Sequence, residues 1–485
     1  MKQAMKKVAL ATICAGGLAA SMQAQATNWL MLQGTEPEAA MGRAKVWGFL
    51  QPTYQKDYSD ENGPLPEPTR IGPNLEKQEQ FQLYRARIGV RGTGMPLDPN
   101  INYFIMIEGG QNGATDGTKY GHKTPVRLMD ASVTINNLKK VARIRTGLFK
   151  TPGPEEILQG IITFDYINLT DVSNQLMMER FSNGVNATCI DAADATTGPG
   201  ADPTVNKCAS GNGPLFANEA SWNSSFGAGR DIGIQLFNSF KSGNWDTSYA
   251  IMVGNGNGLE TGGTADGLDK YVYLSEEMSL PGGWGPKPNG LKVFAWSHAG
   301  KRKVDLTDNA TADPVSYDRK RQGVGVTFRN WGLRAIAEYM TGKGMIFQGP
   351  EKPNMGIGAT DANFGGGGLS TQDLEGKANG YYVDLGYEFP RTNWELDLRY
   401  DVYNRSTDSK YITAEFKRVT YGIQYHFNRK TKFIINYEVR KDKAKDAIIA
   451  GGTPPTNAVK NMQTNLHNAL DNVGNRLGVQ ITHVF

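Results

Sequence analysis

The sequence predicts an all-β fold, a transmembrane antiparallel up-and-down β-barrel of about sixteen strands. Three observations predict it. From Lys45 onward, segment after segment alternates apolar and polar residues with a period of two, as strands between two environments do. The connections between these segments alternate short and long. The chain ends on one more alternating strand, closed by Phe485.

The elements follow in order. Lys2, Lys6 and Lys7 precede a moderately apolar run, Val8 to Leu18, and Ala24-Gln25-Ala26 offers a small-x-small site. Residues 1–26 therefore read as a secretory signal peptide cleaved near Ala26. Residues 27–44 are expected to form an N-terminal periplasmic segment, and 45–485 the barrel. Strands are expected near 45–55, 79–92, 100–109, 126–136, 140–149, 225–240, 245–254, 268–277, 290–299, 320–330, 332–341, 378–390, 393–403, 414–427, 431–441 and 473–485. INYFIMIE sets Ile101, Tyr103, Ile105 and Ile107 against Asn102, Phe104, Met106 and Glu108. NWELDLRYDVY sets Trp394, Leu396, Leu398, Tyr400 and Val402 against Glu395, Asp397, Arg399 and Asp401. FQLYRARIGVRG sets Tyr84, Ala86, Ile88 and Val90 against Arg85, Arg87 and Arg91.

Every second connection is short (TGMPLDP, NNLK, KSGN, RNWG, PRTN, FNRKT), with the Pro/Gly-rich 278–289 as the exception. The others are long, among them 56–78, 110–125, 151–224, 299–319, 342–377 and 442–472. Short periplasmic turns alternating with long extracellular loops are the pattern of outer-membrane barrels. A soluble sandwich has no reason to segregate loop lengths in this way.

Composition narrows the alternatives. Hydrophobic residues make up 39% and mean hydropathy is -0.46, and no internal run approaches the ~18 apolar residues of a spanning helix. The 52 basic and 48 acidic residues are dispersed, so no nucleic-acid partner is expected. Cys189 and Cys208 lie in a Gly/Ala/Asp/Asn-rich segment, where a disulfide would contribute ~3 kcal/mol. Two free thiols or half a metal site are the alternative. No enzyme, metal or cofactor is expected. His122, His298, His426, His467 and His483 lack zinc spacing, and neither G-x-S-x-G, a P-loop nor a haem-attachment motif occurs.

Charge on a strand facing lipid costs ~2–4 kcal/mol at the midplane, so the charged faces are expected to line a lumen. The basic lining is Arg85, Arg87, Arg91, Arg143, Arg145, Lys150 and Arg418, and the acidic lining is Asp384, Glu388, Glu395, Asp397 and Asp401. The strands carrying these sets lie on opposite walls of a sixteen-strand circle, which predicts a transverse field. Loop 151–180 carries Glu155, Glu156, Asp165 and Asp171 and is expected to tuck against the basic wall.

YRARIGVRG (84–92), ARIRTGLFKTPGPEE (142–156) and the series from GYYVDLGYEF (380–389) through NWELDLRYD and FIINYEVR together resemble the phosphate-selective porin O and P family. The terminal Phe485 likewise resembles the recognition signal read by the outer-membrane assembly machinery. The resemblance implies a sixteen-stranded barrel in outer-membrane lipid, commonly a homotrimer. Its third long loop, here 151–224, would fold into the lumen and narrow it. It also implies a phosphate path lined by basic residues, which Arg85, Arg87, Arg91, Arg143 and Arg145 match on strands. The acidic constriction loop departs from that pattern, with Lys150 at its start. The expected function is an outer-membrane porin for passive diffusion of small hydrophilic or anionic solutes, with anion or phosphate preference. The alternative is a barrel scaffold that sheathes a multihaem cytochrome partner.

Overall fold

The computed structural model describes residues 28–32, 44–59, 75, 78–93, 98, 100–112, 126–138, 141–178, 229–259, 265–284, 287–304, 315–347, 372–409, 413–446, 467 and 470–485. Residues 1–26, Cys189 and Cys208 lie outside them. The strands are β1 (Lys45–Asp57), β2 (Glu79–Thr93), β3 (Ile101–Glu108), β4 (Arg127–Leu138), β5 (Ala142–Lys150), β6 (Arg230–Ser242), β7 (Trp245–Gly254), β8 (Asp269–Trp284) and β9 (Lys287–Val304). They continue with β10 (Val315–Asn330), β11 (Leu333–Lys343), β12 (Ile346–Phe347), β13 (Gln372–Asp373), β14 (Lys377–Glu388), β15 (Trp394–Arg405), β16 (Ala414–Asn428), β17 (Thr431–Ala444) and β18 (Arg476–Val484). All but β12 and β13 form one closed sixteen-stranded antiparallel barrel in chain order, with β18 returning to β1. β12 and β13 pair with each other in the connection between β11 and β14.

The alternation sorts as the sequence predicts. Ile105, Ile107, Ile251, Leu274, Leu396, Leu398 and Ile423 are exposed on the outer wall, while Asn102, Phe104, Met106, Glu108, Glu395, Asp397 and Arg399 are buried inside. An apolar exterior around a charged interior inverts a soluble fold and suits a barrel in lipid. The interior is not uniformly polar, however. Phe237, Tyr273, Phe294, Trp296, Tyr382, Tyr403 and Phe416 point inward and form one apolar cluster with Leu30, Ile157, Leu158, Val172 and Leu176.

Two expectations are corrected. The described residues of 278–289 are strand rather than loop: β8 runs to Trp284, β9 begins at Lys287, and these two residues pair. A register shift between Ser279 and Gly283 bends β8 there, with Gly282 and Gly283 at φ of 94° and 80°, a region L side chains avoid. The exception to the short-turn rule thus disappears. Second, Tyr84 faces inward, not to lipid. The β1–β2 register slips between Gln51 and Pro52, which pair with Arg85 and Leu83 and leave Tyr84 as the extra residue of a bulge. Pro52 has no N–H for the ladder, and a bulge is where a strand tolerates that.

The β1–β18 seam is fastened at both ends. At the turn end, Phe485 and Gly48 exchange two backbone hydrogen bonds, and the Phe485 ring lies where a side chain on Gly48 would be, 2.5 Å from that position. At the loop end, Asp57 accepts from Arg440 at 2.7 Å and from Arg476 at 2.9 Å, all three fully buried. Asp57, the last residue of β1, thus joins β1 to β17 and β18. Asp57→Asn removes the carboxylate that Arg440 and Arg476 share, leaving Arg476 with Glu438 at 3.5 Å and Arg440 without an ion pair among the described residues, and is expected to cost about 3–5 kcal/mol. The heat-induced mobility shift of the folded barrel on a gel measures this as a lower unfolding temperature.

Candidate functional site

Residues 151–178 fold onto the inner wall, and their acids fix where. Lys150, the last residue of β5, donates from Nζ to the carbonyls of Ile157 (2.9 Å), Leu158 (3.4 Å) and Gln159 (2.6 Å). These carbonyls end the one-turn helix Glu155–Leu158, whose orphan acceptors need donors. Lys150 therefore holds the loop's first turn in place. Glu155 accepts from Lys292 of β9 at 2.6 Å, and its N–H donates to Glu338 of β11. Glu156 accepts from the Thr170 hydroxyl at 2.6 Å and pairs with Arg399 of β15 at 3.2 Å. Asp165 pairs with Arg334 of β11 at 3.0 Å and Lys287 of β9 at 3.1 Å. Asp171 pairs with Arg418 of β16 at 2.5 Å, and its N–H donates to Asp401. Burial alone would raise the Asp165 carboxyl, but Arg334, Lys287 and Lys432 hold it well below the usual carboxylate range. Its anchoring contribution is present at neutral pH and is lost only as pH falls through that depressed value.

The loop acids thus lie against β9, β11, β15 and β16, and among the described residues the expected contact with the β2–β5 arginines does not form. The far wall carries its own cations. Arg334 bonds Asp397 at 2.5 Å and reaches Asp384 at 3.6 Å, and Arg399 lies 3.9 Å from Asp401. Glu395 meets Lys287 at 3.5 Å and His426 at 2.9 Å. The five acids expected to make an acidic wall are therefore interleaved with cations, and the transverse field loses its negative side. Arg418 is buried between Asp171 and Glu438 and anchors the loop from the wall. Glu388, Glu395 and His426 place ligand atoms within 4.8 Å of one another. Lys287 and Arg329 already face Glu388 at 3.8 and 3.6 Å, so this trio's charge is met by cations.

The near wall is different. β2 and β5 bring Arg85, Arg87, Arg91, Arg143 and Arg145 together, while β2–β5 offer two inward carboxylates, Glu108 and Asp130. Glu108 pairs with Arg87 at 2.6 Å, and Asp130 pairs with Arg230 of β6 at 3.0 Å. Other contacts of these arginines are to neutral groups. Arg85 donates to Gln51 Oε1 at 3.0 Å over the Tyr84 ring. Arg145 donates to Thr134 and Gln235, each at 3.3 Å, over the Phe237 ring. Arg143 donates to Asn136 at 3.2 Å and to Asn238, and Arg91 lies 5.8 Å from the Phe104 ring. For Arg85 and Arg143, neutral partners satisfy the donors and leave the charge in place.

Residues 28–32, expected in a periplasmic segment, lie inside the barrel against this basic wall. Asn28 caps the turn Trp29–Leu32 through the Met31 N–H and donates to Ser248 of β7. The Leu30 carbonyl accepts from Arg145 at 3.4 Å, and Met31 Sδ lies 3.9 Å from Arg143 Nη1. The Trp29 ring packs on Gly160 of the loop. Between this turn, the loop and β9–β11 lies a small recess of about 70 Å³ lined by Glu155, Asp165, Lys287, Lys292 and Arg334.

Sequence reasoning missed Lys287, Lys292, Arg334 and Arg399 as site residues. The signal was present for three of them. Arg399 alternates in register with Glu395 and Asp397, Lys292 with Phe294 and Trp296, and Arg334 with Ile336 and Glu338.

No protein-family description matches the chain, and no curated relative matches it. Solved structures of similar architecture include OmpF of Salmonella typhi in complex with daunomycin, 11% identical over 93% of this chain and 100% of that one, with a TM-score of 0.49. The outer membrane channel DcaP of Acinetobacter baumannii is 11% identical over 94% of this chain and 100% of that one, with a TM-score of 0.48. An anion-selective porin from Comamonas acidovorans is 12% identical over 91% of this chain and 99% of that one, with a TM-score of 0.44.

Proposed function

We propose that this chain is an outer-membrane porin through which small hydrophilic solutes diffuse passively, with a preference for anions. The observation that carries the reading is the near wall, where five inward arginines of β2 and β5 face two inward carboxylates. Rings of basic side chains in a narrow lumen set anion selectivity, because the low-dielectric wall focuses their field. The loop acids do not cancel this field, since each is paired on the other wall. Phosphate preference within the anions is the narrower form of the proposal, with residues 151–224 as the constriction. A homotrimer, cleavage near Ala26 and a Cys189–Cys208 disulfide complete it.

The cytochrome-sheath alternative has no support. The described interior is occupied by the chain's own residues 28–32 and 151–178, which take the wall's buried polar contacts. Replacing Arg85, Arg87 and Arg143 together by Ser tests the proposal. The reversal potential in a salt gradient is expected to move toward zero while the variant still forms channels. An unmoved potential would assign those arginines to wall architecture alone.

A further inference from the structure

The outer wall above the apolar band carries a row of lysines that the channel reading does not use. On the outward face of β9, Val293, Ala295, Ser297 and Ala299 give way to Lys301 and Lys303. Lys320 of β10 stands directly opposite Lys343 of β11, and Lys343 directly opposite Lys377 of β14. All five are exposed, with the Lys303, Lys320 and Lys377 side chains at 54%, 52% and 59%. Like charges directly across a strand pair are destabilising, and here three stand in one register line. Such a line is stabilised by a polyanion that binds across it.

The height on the barrel indicates what that polyanion is. Tyr339 and Tyr381 lie on the same outward faces, four residues closer to the membrane than Lys343 and Lys377. At ~3.4 Å per residue and a tilt of ~40°, the lysines stand about 10 Å beyond the tyrosines. Interfacial tyrosines mark the edge of the hydrocarbon, so the lysines lie at the depth of lipid headgroups. Nearby carboxylates offset part of the charge: Asp318 holds Lys320 at 2.7 Å, Asp266 holds Lys303 at 3.2 Å, and Asp408 lies 3.9 Å from Lys377. Lys301 and Lys343 have no ion-pair partner among the described residues.

We propose that Lys301, Lys303, Lys320, Lys343 and Lys377 form a docking row for the phosphate groups of an outer-leaflet lipid headgroup. The proposal rests on the outer-membrane reading, which places the loop end of the strands in that leaflet. The test uses the full folded chain in detergent, with diphosphorylated lipid A, the same lipid with its phosphates removed, and inorganic phosphate as probes. Binding is followed by the rise in unfolding temperature and by co-migration of lipid with protein. Wild type is expected to bind the diphosphorylated lipid, while Lys320→Gln/Lys343→Gln/Lys377→Gln loses roughly a hundredfold, because each of the three lysines near an anionic surface contributes about a factor of five. The phosphate-free lipid is expected to bind as weakly to wild type as to the triple variant.

Equal binding of the diphosphorylated lipid by wild type and triple variant overturns the proposal, as does binding of the phosphate-free lipid to wild type as tightly as the diphosphorylated one. Competition by inorganic phosphate at lipid concentration would make this a free-phosphate site and also overturns it. The three lysines are solvent-exposed, and an unchanged heat-shift on a gel verifies that the variant folds. Conductance of the same preparation separates the two readings. A conducting barrel that ignores the lipid phosphates sinks the docking row alone, and a silent barrel that discriminates them sinks the channel alone.

Discussion

Arg418→Ala is expected to raise single-channel conductance severalfold and to destabilise the barrel by about 3–5 kcal/mol. Arg418 is fully buried, 2.5 Å from Asp171 of the loop and 3.4 Å from Glu438 of β17. Two charges taken out of water roughly break even when paired, but removing one partner leaves the other uncompensated. Glu438 keeps Arg476 at 3.5 Å, whereas no other cation among the described residues lies within ion-pair distance of Asp171. Asp171 must then reach water, and it takes with it the segment Val172–Met177 that packs on β14 and β15. The double variant Arg418→Met/Asp171→Leu removes both charges. It is expected to recover most of the stability and keep the raised conductance, which separates loop release from general loosening. Conductance unchanged in both variants would mean that residues 151–178 do not narrow the path.

Leu30→Lys is the second large effect. Leu30 is 1% exposed, its carbonyl accepts from Arg145, and Arg143 approaches Met31. A third cation in that position is repelled by both arginines, and the ~1.5–3 kcal/mol from burying the leucine is lost as well. The segment is expected to leave the lumen, raising conductance and strengthening anion preference as the basic wall opens. No strand is altered, so the unfolding temperature of the barrel is expected to hold. Planar-bilayer currents measure the first two effects and a thermal melt the third. Identical currents in wild type and variant would place residues 28–32 off the conduction path.

The fold was legible because lipid imposes a rule that can be read one residue at a time. Outward positions within the hydrocarbon band must be apolar, so period-two alternation finds the strands, and Ile105, Leu398 and Ile423 lie where it puts them. The rule weakens where backbone geometry changes the count. Pro52 forces a bulge that turns Tyr84 inward, and Gly282–Gly283 bend a strand that reads as a loop. The site was half legible. Alternation identified the basic wall, but which acid meets which base depends on where a chain of some thirty residues lies inside the barrel, and no local pattern encodes that. Arg334 is the clearest case: it gathers Asp165, Asp384 and Asp397, which are far apart in sequence. Residues 28–32 are too short to carry a periodic signal, and their place follows from contacts with Arg143 and Arg145.

The central claim is that the near wall's excess of arginine makes this barrel an anion-preferring channel. The most direct test is the reversal potential of purified wild-type protein in a planar bilayer under a potassium chloride gradient. The structure predicts open channels with a potential of the sign set by chloride. A potential of the opposite sign, or a folded barrel that passes no current, would contradict it.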